Sequence, residues 1–96
     1  MKKYEGLFIL KPNLNEEELG KLFSSILDVV TKNGGAVENK EDMGLRTLAY
    51  ELKKEKQGRY FLVNFTAAAD SVSLIERAYK LNELILRSLI FSQNKK

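Results

Sequence analysis

Apolar positions along the 96-residue chain fall into two patterns, short continuous runs and stretches that repeat every three or four residues. Residues 4 to 10, YEGLFIL, form a run of aromatic and aliphatic side chains stopped by Lys11, Pro12 and Asn13, which predicts a first strand. Asn15 ahead of Glu16, Glu17 and Glu18 predicts a helix start, because Asn caps free backbone N–H groups and Glu18 stands at the capping-box position. Leu19, Leu22, Phe23, Ile26, Leu27 and Val30 then fall on one helical face, and Asn33, Gly34 and Gly35 end it.

Residues 36 to 52 alternate as a long strand, with Gly44 at the point where a bulge would bend it. The lysine-rich stretch 53 to 56 with Gln57 and Gly58 turns the chain, and residues 59 to 67, RYFLVNFTA, return as a third strand in a hairpin with the second. Asp70 and Ser71 are expected to cap a second helix, whose Val72, Ile75, Ala78 and Tyr79 line one side and which ends near Leu81 or Asn82. Residues 84 to 92, LILRSLIFS, form the last strand, and 93 to 96 read as a short basic tail. The order β-α-β-β-α-β over residues 1 to 92 predicts one α+β domain of the ferredoxin-like, split βαβ kind. Four antiparallel strands then carry both helices on one face, with strands one and three at the centre.

That architecture leaves the second sheet face open. If Phe61, Val63 and Phe65 face the helices, then Tyr60, Leu62 and Asn64 face out. Strand one offers Gly6, Phe8 and Leu10 on one side and Glu5, Leu7 and Ile9 on the other; strand four offers Arg87, Leu89 and Phe91 against Leu86, Ser88 and Ile90. Either choice leaves apolar residues on the open face, where a solvated sheet carries polar ones, so a protein surface or stacked RNA bases are the covers to consider. A face of this kind made from Leu7, Ile9, Tyr60, Leu62, Leu89 and Phe91 is expected to take a protein partner. The third strand comes near the signature of RNA-recognition domains only at Tyr60, Val63 and Phe65; the basic residue and glycine of that signature are missing.

Composition narrows the chemistry. The chain has no cysteine and no histidine, which removes disulfides, thiolate sites, the usual neutral-pH acid–base group and the commonest metal ligand. No enzymatic activity, cofactor, metal or small-molecule substrate is expected. Glu16, Glu17 and Glu18 point in different directions round a helix and answer to helix-start chemistry. Gly34 and Gly35 lack the lysine and hydroxyl of a phosphate loop. No apolar run approaches the length of a membrane span, so a cytoplasmic protein without a membrane partner is expected.

Sixteen lysines and arginines against thirteen acids leave a net charge of +3, a surplus that permits RNA binding without requiring it. The basic residues stand in four groups: Lys2 and Lys3, Arg46, the hairpin from Lys53 through Lys56 to Arg59, and Arg87. They are expected to converge on one rim, where each cation that neutralises a phosphate releases counterion. Arg46 raises a question of its own, since an arginine inside the strand GLRTLAYEL must reach solvent, a carboxylate or a phosphate.

The segments KKYEGLFILKPNL, GLRTLAYEL, KQGRYFLVNF and LILRSLIF resemble the bacterial small-subunit ribosomal protein six family, with G-x-R-x-L-A-Y the most specific of them. The resemblance covers nearly the whole chain. It implies a structural ribosomal protein that binds the central domain of small-subunit rRNA as a heterodimer with small-subunit ribosomal protein eighteen. By position, it implies RNA contacts from Lys2, Lys3, Tyr4, Arg46 and Arg87. Members often have proline where Glu51 stands, and some carry a long C-terminal extension. Two other readings share the topology: a metabolite-sensing regulatory domain with a ligand pocket between subunits, and an acyl-phosphate hydrolase. The hydrolase needs an arginine in the loop after strand one, where Lys11, Pro12 and Asn13 offer none.

Overall fold

The computed structural model describes residues 1–93. In it β1 (Lys2–Leu10), α1 (Glu16–Lys32), β2 (Ala36–Leu52), β3 (Glu55–Ala67), α2 (Val72–Lys80) and β4 (Ile85–Ser92) follow one another in the order the pattern predicts. The strands form a single sheet in the order β2-β3-β1-β4, antiparallel throughout. This is the ferredoxin-like split βαβ fold.

The core is sealed between the helices and one face of the sheet. Phe8, Leu10, Phe61, Val63 and Phe65 from the central strands meet Leu22, Ile26 and Val30 of α1 and Ile75 and Tyr79 of α2. Aromatic rings fill it in preferred geometries: Phe8 meets Tyr79 edge-on at 4.7 Å, and Phe23 of α1 stacks on Phe61 at 4.1 Å. The Tyr79 hydroxyl is buried, and it donates to the Ile26 carbonyl at 2.8 Å, tying one helix to the other.

Local chemistry explains the element ends. At the start of α1, Asn15 Oδ1 accepts from the Glu18 N–H and Glu18 Oε1 accepts from the Asn15 N–H, a complete capping box. The cap expected at Asp70 and Ser71 is replaced by a 3-10 turn over Ala69–Ser71. Ser71 already has helical dihedrals (φ −81°, ψ −18°), which deny its hydroxyl the reach of a capping side chain. The bend at Gly44 is present: its φ is +85°, the register shifts between Asp42 and Gly44, and Asp42 Oδ1 accepts from the Gly44 N–H.

The hairpin departs further from its sequence pattern. β3 begins at Glu55, four residues earlier than expected, because Glu55 pairs with Leu52 and the second half of the lysine-rich stretch is strand rather than loop. The reversal is confined to Lys53 and Lys54, both left-handed with φ of 49° and 70°. A two-residue hairpin demands that conformation to match strand twist, and these lysines adopt it without glycine's freedom. Of the tail expected at 93–96, Gln93 donates its N–H to the Lys3 carbonyl at 2.8 Å. Residues 94–96 lie outside the described residues.

Candidate RNA and protein interface

The register decides which alternating set faces out. Leu7 pairs with Leu62 on one side and Leu89 on the other, Ile9 with Tyr60 and Arg87, and Glu5 with Asn64 and Phe91. With Phe8, Phe61 and Phe65 in the core, all six expected partner-surface residues, Leu7, Ile9, Tyr60, Leu62, Leu89 and Phe91, share the helix-free face. Leu7, Leu62 and Leu89 are half-buried as neighbours across three strands, and Phe91 is 51% exposed at the sheet edge.

One end of that face is already covered by the protein itself. Between Thr47 and Leu52, β2 breaks register with β3 and arcs outward. Leu48, Ala49, Tyr50 and Leu52 from this arc line a notch of about 130 Å³ together with Ile9, Tyr60 and Arg87. Ile9 is therefore only 8% exposed, while Tyr50 stands 70% exposed on the outer wall. Lys53, at the hairpin tip, reaches β4, its Nζ donating to the Ile85 carbonyl at 3.4 Å. The alternation of Leu48, Tyr50 and Leu52 marks a strand in the sequence but not the arc, which depends on a pairing defect no pattern displays.

Arg46 finds neither a carboxylate nor burial. It pairs in register with Gly58, which has no side chain to oppose it, and its guanidinium lies over the Tyr60 ring at 5.7 Å from the centroid. Gly58 is required there by packing, since a Cβ would fall 2.5 Å from Ile9 Cγ2. The arginine is thus exposed, held against an aromatic platform and free of ion pairs among the described residues.

The cations do not converge on one rim. Lys3 pairs with Thr66 at one end of the sheet, whereas Arg46, Lys56 and Arg87 lie at the hairpin end. Ile9, the partner of Arg87, stands six residue steps along β1 from Lys3, a span of about 20 Å. The open face is therefore an apolar band between two basic ends. Two further residues expected at the RNA edge stand elsewhere. Tyr4 alternates with the core side of β1, is 8% exposed, and stacks on Phe65 at 5.6 Å. Arg59 belongs to the alternating set on the helix side of β3 and gives Asp42 a two-oxygen ion pair at 3.0 and 3.1 Å. A phosphate would have to displace that carboxylate.

Sequence reasoning grouped Glu5 with Leu7 and Ile9 and Asn64 with Tyr60 and Leu62, but gave neither residue a role. They are cross-strand neighbours on the open face, and Asn64 Oδ1 is shut off from solvent with no hydrogen-bond partner among the described residues. A lone Asn among the apolar residues of β3 was the available signal. Among the described residues no group of three or more acidic, histidine or cysteine side chains could hold a metal, and no helix is long and apolar enough to cross a membrane.

Fold and surface together define a small ferredoxin-like α+β domain, a helix-backed sheet whose bare side carries an apolar band between basic ends. Comparison with known proteins agrees. A sequence model of the family described as Ribosomal protein S6 matches residues 3–92. The small ribosomal subunit protein bS6 of Helicobacter hepaticus is 45% identical over 96 residues, covering all of this chain and 70% of its own length. That of Campylobacter jejuni is 43% identical over 97 residues, covering 78% of its length. The crystal structure of 30S ribosomal protein S6 from Thermotoga maritima superposes with a TM-score of 0.90 at 30% identity, covering 96% of this chain and 87% of that one. The chain belongs to the ribosomal protein S6 family, whose members are structural, non-enzymatic proteins of the small ribosomal subunit. Membership sets aside the regulatory-domain and hydrolase readings.

Proposed function

We propose that this protein docks on the central domain of small-subunit rRNA as a pair with small-subunit ribosomal protein eighteen, each partner completing a surface that neither presents alone. The observation that carries the reading is the open face: Leu7, Leu62, Leu89 and Phe91 lie side by side with no helix over them, between Lys2 and Lys3 at one end and Arg46, Lys56 and Arg87 at the other. An apolar band suits a protein cover, because burial of such area drives association. The exposed cations suit phosphates, which position a protein on RNA without reading bases. Arg46, braced over Tyr60, is the best-placed phosphate ligand at the hairpin end, where Arg87 and Lys56 join it. Tyr4 and Arg59 have no direct part in this scheme, one being a core residue and the other committed to Asp42.

Filter-binding titration of a central-domain rRNA fragment, with and without ribosomal protein eighteen, tests the reading. Affinity should rise at least tenfold when the partner is present. Equal affinity in the two arms would sink it.

A further inference from the structure

The open face is not uniformly apolar. Across the strands runs the row Phe91, Glu5, Asn64, Asn39, and beside it the row Leu89, Leu7, Leu62, Glu41. Neither Glu5 nor Glu41 forms an ion pair among the described residues. Asn64 Oδ1, next to Glu5 in register, is a buried acceptor that no group among the described residues satisfies. Buried acceptors almost always find a donor, so an unsatisfied one on a face open to a partner points to a donor supplied from outside.

The chemistry of that donor is restricted. RNA phosphates suit this part of the face poorly, because Glu5 and Glu41 repel them and phosphate oxygens cannot donate to Asn64 Oδ1. A guanidinium fits instead. Its fork can pair with the Glu5 carboxylate and, once the Asn64 amide turns outward to uncover Oδ1, give a further N–H to that acceptor, while its stem lies along Leu7 and Leu62. We propose that Glu5 and Asn64 form a receptor for an arginine of the partner protein, carried on a segment whose apolar residues cover Leu7, Leu62 and Leu89. The proposal rests on the partner reading above and adds its chemistry: the apolar band gives area, and the acceptor pair fixes which basic segment lies on it and in what register.

Isothermal titration of ribosomal protein eighteen into the unaltered protein, Glu5→Gln, Glu5→Lys and Asn64→Leu tests it, with circular dichroism to verify that each variant is folded. Glu5→Gln keeps shape and removes charge, and it should weaken binding about tenfold; Glu5→Lys should weaken it further, and Asn64→Leu by several-fold. Affinity for the central-domain rRNA fragment alone should not fall in any of the three. Partner affinities within twofold of one another across all four proteins would overturn the receptor while leaving the partnership intact. So would a gain in affinity for the RNA fragment by Glu5→Gln with unchanged partner binding, which would assign the face to RNA. Absence of binding by the unaltered protein would overturn the partnership and the receptor together.

Discussion

The two faces of the sheet are made by the same strands, one residue out of phase, and they end in different states. On the helix side Phe8, Phe61 and Phe65 are sealed, and the Tyr79 hydroxyl buried among them has its acceptor. On the bare side Leu7, Leu62 and Leu89 are half-covered, Phe91 is exposed, and Asn64 Oδ1 lacks a donor. The helix face is complete within one chain. Its counterpart has the residue types of an interior and the coverage of a surface, which is what the proposed partnership requires of it.

The largest expected effect tests that contrast directly. Phe8→Ala should cost about 3–5 kcal/mol of stability, since it empties a site closed by Phe61 and Tyr79. Leu62→Ala, on the other face of the neighbouring strand, should cost about 1 kcal/mol or less in the isolated protein because much of its area is never removed from water. Urea unfolding of both variants reads the difference. Similar losses would mean that the bare side is closed in solution, and the docking account would lose its basis.

A second, smaller effect distinguishes a satisfied polar group from an unsatisfied one. Tyr79→Phe should cost about 1 kcal/mol at neutral pH by removing the hydrogen bond to Ile26. Burial holds the Tyr79 phenol protonated well above its ordinary value of 10.0. The sign follows from linkage: the unfolded phenol loses its proton near pH 10 while the folded one keeps it, so this group's stabilisation is full below that pH and falls as pH rises by about 1.4 kcal/mol per unit. The phenylalanine variant lacks this loss, and its deficit relative to the unaltered protein should close between pH 9 and pH 11. A constant deficit across that range would show that the phenol ionises alike in both states.

The sequence pattern carries the element order, the sheet arrangement and the membership of both faces, because period-two and period-3.6 burial are written in the apolar positions themselves. Asn15 and Gly44 announced a cap and a bend because each acts through its own backbone neighbourhood. What was not legible depends on where strands end up relative to one another. Lys3 and Arg87 resemble one another in sequence, but antiparallel pairing sets them at opposite ends of the sheet. Tyr4 and Arg59 look like surface residues beside their basic neighbours, until alternation places one among Phe65 and its core partners and Asp42 claims the other. The arc of β2 over Ile9 and the orphaned oxygen of Asn64 are tertiary facts with no local signature.

The hairpin arm covers the bare side at the Ile9 end, and the arm turns through two lysines in left-handed backbone. Left-handed dihedrals cost an L-residue about 1 kcal/mol or more, and glycine is relieved of that cost. Lys54→Gly should therefore stabilise the isolated protein slightly, by about 0.5 kcal/mol once the greater freedom of glycine in the unfolded chain is set against the relieved strain. Lys53→Gly relieves the same strain but forfeits the Nζ bond to Ile85, so its gain should be smaller or absent. Thermal melts of the two single variants separate these terms. A higher melting temperature for Lys54→Gly alone would mean that the tip is held on β4 by Lys53 and that Ile9 shares the closed state of the helix face. Equal shifts would mean that the Lys53 contact contributes nothing, leaving the arm as loosely attached to the open face as an unpartnered edge.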